Sequence, residues 1–296
     1  DQLASFLADR TPGAYAQLVD QLLDSPRYGE HQARYWLDAV RYGDTHGLHL
    51  DNRRGIYPYR DWVINALNRN IPLDDFITWQ LAGDLLPSPT LEQRVATGFV
   101  RMNPSTAEGG AIPAEFQAKN NFDRVETLGT VFLGMSLTCA RCHTHKYDPI
   151  PQTEYYRLMA FFNSTAENSM DGNKYEYGPV LKAPGSVEAW KAWNDIEATR
   201  AALLTQTTVA IADLDAAVQE KWRGATSKDQ LGILADAKGP LAGLPMHSAA
   251  VTLNAQITEQ EKAFTSTLVA RDLETPRVTK VLTRGEYDLP VGDALE

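Results

Sequence analysis

Two cysteines and a histidine form the most specific chemical motif in this chain of 296 residues. The segment Cys139-Ala140-Arg141-Cys142-His143 places two thiols three residues apart, with an imidazole directly after the second. On one turn of helix, this spacing puts both sulfurs along one edge of a porphyrin and the imidazole beneath its metal. We therefore predict one covalent haem c, held by thioether bonds to Cys139 and Cys142, with His143 as the proximal iron ligand.

The same motif leaves two other chemistries open. Adding His145 gives four sulfur and nitrogen ligands, the set that a tetrahedral zinc ion prefers, although the adjacency of Cys142 and His143 makes closure around one ion strained. A thiol–disulfide pair usually begins a helix in a βαβ setting, which this sequence does not show. The motif favours haem attachment over zinc binding, a redox pair or two inert cysteines.

A ligand for the opposite face of the iron must come from elsewhere in the chain, because His145 follows His143 too closely to reach around the ring. His46 and His49 lie on a loop far away in sequence, and a neutral imidazole is a good iron ligand. Met102 offers a thioether. We predict His46 as the distal ligand, His49 as the second candidate and Met102 as the third; the alternative for each histidine is an ordinary place in a surface loop.

Cationic side chains around the motif are candidates for binding the haem propionates, which need positive partners when partly buried. Arg141 lies between the two cysteines, Lys146 follows the motif, and Arg124 lies on the predicted helix that leads to it. His145 is a candidate for hydrogen bonding to a propionate or for orienting its loop. The alternative for Arg124 is a solvated helix face.

Composition and charge narrow the class of protein. The chain is 43% hydrophobic and 22% charged, which is ordinary globular composition with apolar material for one large or two modest cores. Its net charge of −10 argues against a nucleic-acid partner. The sequence has no apolar run of 18 residues, so we predict no transmembrane segment. With two cysteines, it is not a disulfide-stapled domain.

Helical apolar spacing recurs throughout the first half of the chain and predicts a mainly α fold. The predicted helices cover residues 15–23, 29–42, 59–68, 73–86, 91–100, 114–133 and 152–162. Long loops at 46–58, 102–113 and 165–185 are typical of segments that line a site. We predict a compact multi-helix haem domain over residues 1–185.

The apolar pattern changes after this domain. One stripe repeats every seven residues from Leu204 to Val218, and a second runs from Leu253 to Leu268. Residues 224–245 between them are rich in glycine and alanine. We predict an antiparallel, coiled-coil-like helical hairpin at 186–272, with 224–245 as its tip.

The last segment, residues 273–296, reads as a junction to a possible following domain. Within it, residues 279–283 are a candidate short strand. The sequence predicts no terminating element after Val291, so we expect the chain to be a portion of a longer protein.

Several short motifs, taken together and in order, resemble one known family. They are Arg41-Tyr-Gly-Asp-Thr-His46, Tyr59-Arg-Asp-Trp-Val63, Gln80-Leu-Ala-Gly-Asp-Leu-Leu-Pro87, Ala96-Thr-Gly-Phe99, Glu108-Gly-Gly110 and Cys139-Ala-Arg-Cys-His-Thr-His-Lys-Tyr-Asp-Pro149. The chain resembles, over nearly its whole length, the uncharacterised domain of planctomycete-type multidomain cytochrome c proteins.

The resemblance implies a neighbouring cytochrome c domain and an exported protein, periplasmic or extracellular. Covalent haem attachment in bacteria takes place outside the cytoplasmic membrane, so we expect the precursor to carry an export signal. The family's reaction is not established, and no activity is inherited with the resemblance. One departure is Thr144, where many relatives have aspartate, so any role that depends on a carboxylate there is in doubt.

Three functions follow from these expectations. The first is electron transfer by a haem with two protein ligands, with other cytochromes or redox domains as partners. The second is haem-dependent oxidoreductase or peroxidase-like catalysis with a labile distal ligand. The assisting group would be His46, His49 or an acid such as Asp44 or Glu108. The third is a haem-stabilised binding or assembly module that docks a protein partner through the helical hairpin. The motif favours electron transfer, which needs little beyond the haem and its ligands.

Overall fold

A computed structural model describes residues 2–295, which form twelve α-helices and two small sheets. This confirms the prediction of a mainly α protein. The chain divides into two compact units, the first containing the chain up to Leu181 and again from Ser266, the second containing Lys182–Thr265. None of the helices formed by the described residues is both long and apolar enough to cross a membrane.

The described residues of the first unit form eight α-helices. They are α1 (Gln2–Ala8), α2 (Ala14–Leu23), α3 (Arg27–Ala39), α4 (Tyr57–Asn68), α5 (Leu73–Ala82), α6 (Leu91–Ala96), α7 (Pro113–Phe132) and α8 (Gln152–Asn163). Short 3-10 turns lie at Gly83–Leu85, Thr97–Arg101, Thr138–Arg141 and Thr283–Gly285. The seven helices predicted for this part of the chain are confirmed, and α1 is an addition.

Two of these helices end earlier than predicted and continue as 3-10 turns. After α5, a Cβ atom on Gly83 would lie 2.1 Å from the carbonyl oxygen of Gln93, so this close approach of two backbones requires glycine. After α6, the Thr97 hydroxyl donates to the carbonyl oxygen of Arg94 at 2.7 Å. Such side-chain bonds compete with the regular helical ladder.

An aromatic core joins α3, α4 and α5. The rings of Trp62 and Phe76 stack with centroids 5.4 Å apart, and Trp36 meets Phe76 edge-on at 4.9 Å. Buried Gln80 accepts hydrogen bonds from the Tyr59 hydroxyl at 2.6 Å and the Trp36 indole at 3.0 Å. The polar ends of the aromatic side chains are thus satisfied inside the core.

A buried charge cluster, formed by Arg101, Arg124 and Glu167, ties α7 to the long loops. The Nε of Arg101 lies 2.9 Å from one carboxylate oxygen of Glu167, and Arg124 pairs with the other. Arg101 also donates to the carbonyl oxygens of Tyr177 at 2.8 Å and Val269 at 2.9 Å. The Glu167 carboxylate therefore pairs with both guanidinium groups. Their remaining N–H groups donate hydrogen bonds mainly to segments outside helices and strands.

The second unit contains four helices rather than the predicted two-helix hairpin. They are α9 (Val187–Ala210), α10 (Ala216–Arg223), α11 (Ser227–Ala235) and α12 (His247–Lys262). The prediction of a tip at 224–245 is wrong because α11 begins in that segment. The Thr226 hydroxyl accepts from the Asp229 backbone N–H at 3.3 Å as its N-cap, and Leu231 and Leu234 are buried. Phe264 and Leu268, predicted on the second stripe, lie beyond the end of α12.

Four short strands complete the fold. β1 (Val180–Ala183) and β2 (Thr265–Leu268) form one sheet, and β3 (Thr279–Leu282) pairs antiparallel with β4 (Pro290–Leu295). β3 confirms the strand predicted at 279–283. β4 was not predicted, because its residues read as a junction; its Val291 lies opposite Val281.

Replacing the shared carboxylate, Glu167→Gln, is expected to lower the free energy of unfolding by about 3–5 kcal/mol, because two buried guanidinium groups lose their counter-charge. Urea unfolding followed by circular dichroism measures the change. The matched control is Glu154→Gln, whose carboxylate pairs with Arg157 on the exposed face of α8. The control is expected to change stability by less than about 0.5 kcal/mol. Equal effects of the two substitutions would show that the cluster is not a stability determinant.

Candidate functional site

The attachment segment follows α7 through a tight turn. Gly134, with φ of +62°, lies just past the end of the helix in the left-handed conformation that glycine adopts easily. Leu137 then turns back onto α7, where a Cβ atom on Gly129 would lie 2.6 Å from the leucine Cγ. This close packing fixes the start of the 3-10 turn that carries the first cysteine.

Both thiols are free, with Cys139 exposed and Cys142 half-buried. The Cys139 carbonyl oxygen accepts from the backbone N–H of Cys142 at 3.3 Å and of His143 at 3.4 Å, which wraps the motif into a single turn. The Cys142 thiol donates to the carbonyl oxygen of Arg284 at 3.2 Å. The motif thus presents two accessible sulfurs and an imidazole from one compact piece of backbone.

The backbone contact of His143 favours a neutral tautomer in which Nε2 can bind a metal. Its side chain is exposed, and Nδ1 lies 2.8 Å from the carbonyl oxygen of Thr144. A carbonyl oxygen only accepts, so Nδ1 carries the hydrogen and the lone pair of Nε2 is available to solvent. The orienting partner is a backbone group, so the threonine that stands in place of aspartate does not remove it.

The imidazole of His145 organises the turn after the motif. Its Nδ1 accepts from the backbone N–H of Asp148 at 2.8 Å, and its own backbone N–H donates to the carbonyl oxygen of Ile150 at 2.9 Å. The same Nδ1 lies 3.2 Å from a carboxylate oxygen of Asp148, and the side chain is 8% exposed. This geometry suits a residue that orients the loop.

Arg141 is held between the motif and α7. Its guanidinium lies 3.3 Å from a carboxylate oxygen of Glu126 and 5.0 Å from the centre of the Phe122 ring. Its carbonyl oxygen accepts from the Tyr156 hydroxyl at 2.9 Å. A Cβ atom on Gly285, whose φ is +76°, would lie 3.1 Å from the Arg141 Cγ. The arginine is therefore packed on two sides and only partly exposed.

The two other predicted propionate partners have opposite environments. Lys146 is exposed, with its ammonium 5.2 Å from the centre of the Tyr147 ring. Arg124 is 1% exposed, and all three of its guanidinium nitrogens bind protein groups: Nε binds the Val100 carbonyl, Nη1 binds Thr165, and Nη2 binds Asn103 and Glu167. A propionate would have to displace one of these partners. Arg124 therefore neither lies on a solvated helix face nor is free to bind a propionate.

The three predicted distal ligands also differ in accessibility. His46 is 1% exposed; its Nε2 lies 3.0 Å from the Lys174 carbonyl oxygen and its Nδ1 3.9 Å from a carboxylate oxygen of Asp171. Met102 is equally buried, whereas His49 is exposed. His46 and Met102 would have to leave the interior to bind an iron atom, and His49 would not.

Several residues around the motif escaped sequence reasoning. Arg284, in the left-handed conformation with φ of 53°, presents the carbonyl oxygen that contacts Cys142. Glu126 and Tyr156 hold Arg141 from two helices. Gly285 was a signal, since a glycine after a polar residue marks turns with positive φ, but nothing local indicates that this turn lies against the cysteines.

The arrangement does not assemble a zinc site of the predicted kind. Across residues 2–295, the side chains of histidine, cysteine, aspartate and glutamate do not come together in any group of three or more that could hold a metal ion. The Nδ1 atoms of His143 and His145 are both engaged with backbone groups. A haem iron needs a single proximal ligand from the motif, which His143 offers.

The pair formed by Glu126 and Arg141 gives the site a pH dependence. Burial raises the pKa of Glu126 above its ordinary value of 4.5, and Arg141 only partly offsets this. The native state therefore binds more protons than the unfolded state above pH 4.5, and stability falls as the pH rises through this window. Glu126→Gln removes this loss, so the variant should gain stability relative to the wild type as the pH rises.

Urea unfolding of both proteins between pH 4 and pH 8 (about the window set by ordinary and raised carboxyl pKa values) measures this difference. Other titrating groups cancel in the comparison. A difference that is constant with pH, or that falls as the pH rises, would contradict the raised pKa of Glu126.

Comparison with known proteins completes the description of the site. No curated protein and no solved structure matches the chain. The model of one family, PSCyt2, described as a protein of unknown function (DUF1549), matches residues 1–167. The matched part contains the attachment segment, the buried charge cluster and helices α1 to α8. It covers more than half of the 296 residues, so the chain belongs to the PSCyt2 family.

Proposed function

We propose that this protein carries one covalent haem c on Cys139 and Cys142, with His143 as the proximal iron ligand. The observation that carries the proposal is the state of His143. Its Nδ1 donates to the Thr144 carbonyl, its Nε2 lone pair is available, and two free thiols lie on the same turn. Metal-bound histidines almost always have such a partner on the other ring nitrogen.

The covalent step balances without an added oxidant. Each thiol adds across one vinyl group, so that a sulfur–carbon bond forms and the thiol hydrogen passes to the other vinyl carbon. For Cys142 this breaks the contact with the Arg284 carbonyl, which is an exposed and therefore inexpensive bond to lose. Once bound, the haem supplies reversible one-electron chemistry, while the protein supplies its ligands and its surroundings.

Electron transfer is the function that fits an exposed attachment segment best. Cys139 and His143 are exposed on the surface of the first unit, so a haem held there presents an edge to other redox proteins. A catalytic site would instead enclose a distal cavity, and His46 and Met102 are occupied inside the protein. The net charge of −10 favours a neutral or cationic surface on the partner, such as another cytochrome domain. Covalent attachment also implies a periplasmic or extracellular location.

The distal ligand is reassigned to His49. It is the exposed member of the three predicted candidates, while His46 bonds to the Lys174 carbonyl and Met102 is buried. Ligation by two histidines predicts a low-spin haem with a lower potential than ligation by histidine and methionine. Arg141 and Lys146 are the cations best placed for the propionates, since Arg124 is used inside the protein.

Attachment is tested by a pyridine haemochrome assay on protein exported from cells that contain a c-type haem maturation system. The wild type is expected to give a c-type spectrum that survives acid–acetone extraction. Cys139→Ala or Cys142→Ala should shift the spectrum to that of a single thioether, and the double variant should lose its haem on extraction. Wild-type protein that is exported, folded and free of haem would overturn the proposal.

Coordination is tested by the ferric absorption spectrum and by cyanide binding. The wild type is expected to be low-spin and slow to bind cyanide, and His49→Ala should convert it to a high-spin form that binds cyanide rapidly. His31→Ala, which removes an exposed histidine on α3, is the matched control and should leave the spectrum unchanged. A high-spin wild type that binds cyanide as fast as His49→Ala would contradict electron transfer and favour catalysis.

A further inference from the structure

A second site lies at the start of α4, in a cleft of about 490 Å³ lined by Asp44, Arg53, Tyr57 and Arg60. This volume falls within the range of about 300–1,000 Å³ that small-molecule sites span. None of the four residues is used by the proposed haem site. The cleft belongs entirely to the first unit and is unrelated to the attachment motif in sequence.

The cleft has a rigid frame. The backbone N–H of Arg54 donates to the Asp44 carbonyl at 2.9 Å, and Thr45 and Arg53 form an antiparallel bridge, so the two strands of this loop are paired. The buried guanidinium of Arg54 donates to the carbonyl oxygens of Asn103 at 2.9 Å and Met102 at 3.1 Å. Arg54 therefore anchors the loop to the interior of the protein. Asp44 and Arg53 are held side by side before any ligand binds.

Arg53 supplies an unused guanidinium. It is exposed, and within residues 2–295 its side chain makes no hydrogen bond or ion pair. An exposed arginine beside a cleft, with no carboxylate partner of its own, can bind an anion. A guanidinium binds a carboxylate through two parallel hydrogen bonds, which gives both strength and orientation.

Arg60 and Asp44 face each other across a gap. Two nitrogens of Arg60 bind Asp61, at 2.9 Å and 2.8 Å, while its Nη1 lies 4.0 Å from Asp44 Oδ1 and is too far to bond with it. The same Asp44 oxygen accepts from the Tyr42 hydroxyl at 2.5 Å, which leaves its other oxygen open. A hydroxyl group placed in this gap accepts from Arg60 and donates to Asp44, satisfying both.

One tyrosine ring lines the cleft. Arg60 lies 5.8 Å from the centre of the Tyr57 ring. Tyr175, which is 38% exposed, packs on nearby Gly55, where a Cβ atom would lie 2.7 Å from its ring. The Tyr57 ring offers an apolar surface to the carbon skeleton of a ligand.

We infer that this cleft binds a hydroxylated organic acid, with its carboxylate on Arg53 and a neighbouring hydroxyl between Arg60 and Asp44. A simple inorganic anion such as sulfate fits less well, because it can pair with Arg53 but has no hydroxyl hydrogen to donate to Asp44 in the gap beside Arg60. An uncharged sugar would leave Arg53 without a partner. Arg53 selects for a carboxylate in the ligand, and Arg60 and Asp44 together select for a hydroxyl group in the same molecule.

Calorimetric titration of the whole protein with three probes tests this inference. D-glucuronate carries both groups, D-glucose carries the hydroxyls alone, and acetate carries the carboxylate alone. D-glucuronate is expected to bind at least about tenfold more tightly than either of the others, which corresponds to one charge-assisted hydrogen-bonded contact. Equal binding of acetate or D-glucose, or no binding of D-glucuronate, would overturn the assignment of the ligand class.

Matched variants locate the binding. Arg53→Gln is expected to weaken D-glucuronate binding about tenfold, and Asp44→Asn to weaken it while leaving acetate unaffected. Arg10→Gln, another exposed arginine in the first unit, is the control and should bind as the wild type does. Within the described part of the chain, the exposed Arg53 side chain has no hydrogen bond or ion pair to lose, so its variant should unfold at the wild-type temperature. D-glucuronate binding that survives Arg53→Gln would show that the ligand lies elsewhere and sink the proposal. The expected D-glucuronate binding does not depend on whether the protein carries haem, so this test can fail while the haem proposal stands.

Discussion

Buried guanidinium groups hold the irregular parts of the first unit together. Backbone carbonyls in long loops lack the partners that helices and sheets provide, and burying them without hydrogen bonds is costly. Arg54, Arg101 and Arg124 each satisfy several such carbonyls or amide oxygens, and each is at most 3% exposed. Glu167 supplies the counter-charge for two of them. These buried arginines therefore hold the backbone of the long loops in place.

This constraint decides which side chains remain free for chemistry. His46 is buried against Asp171 and the backbone carbonyl of Lys174, and Met102 is also buried. The attachment motif lies on an exposed 3-10 turn, and the cleft with Arg53 opens at the start of α4. Internal polar groups hold the framework, and the side chains of the two proposed sites lie on its surface.

Local patterns predicted much of this molecule. The 3.6-residue spacing located α2 to α8. In the second unit, composition misled the prediction of the hairpin tip, because the N-cap at Thr226 and the buried pair of leucines outweigh the glycines. An N-cap hydrogen bond and buried leucines stabilise a helix by more than a glycine in it destabilises it.

The misplaced side chains share a different cause. His46 and its partner Lys174 are 128 residues apart, and Cys142 and Arg284 are 142 apart, so nothing near either residue in the sequence reveals the contact. Arg124 reads as a cation available for a propionate, but its partner Glu167 lies 43 residues away. Helix positions depend on local periodicity, whereas the availability of a functional side chain depends on long-range packing.

The central claim is that a porphyrin is covalently bound to this turn, and intact mass spectrometry of the exported protein tests it most directly. The account predicts a denatured polypeptide heavier than its sequence by the mass of one haem, with one iron atom per chain in the native protein. A polypeptide at the bare sequence mass, or one that contains zinc in place of iron, would contradict it.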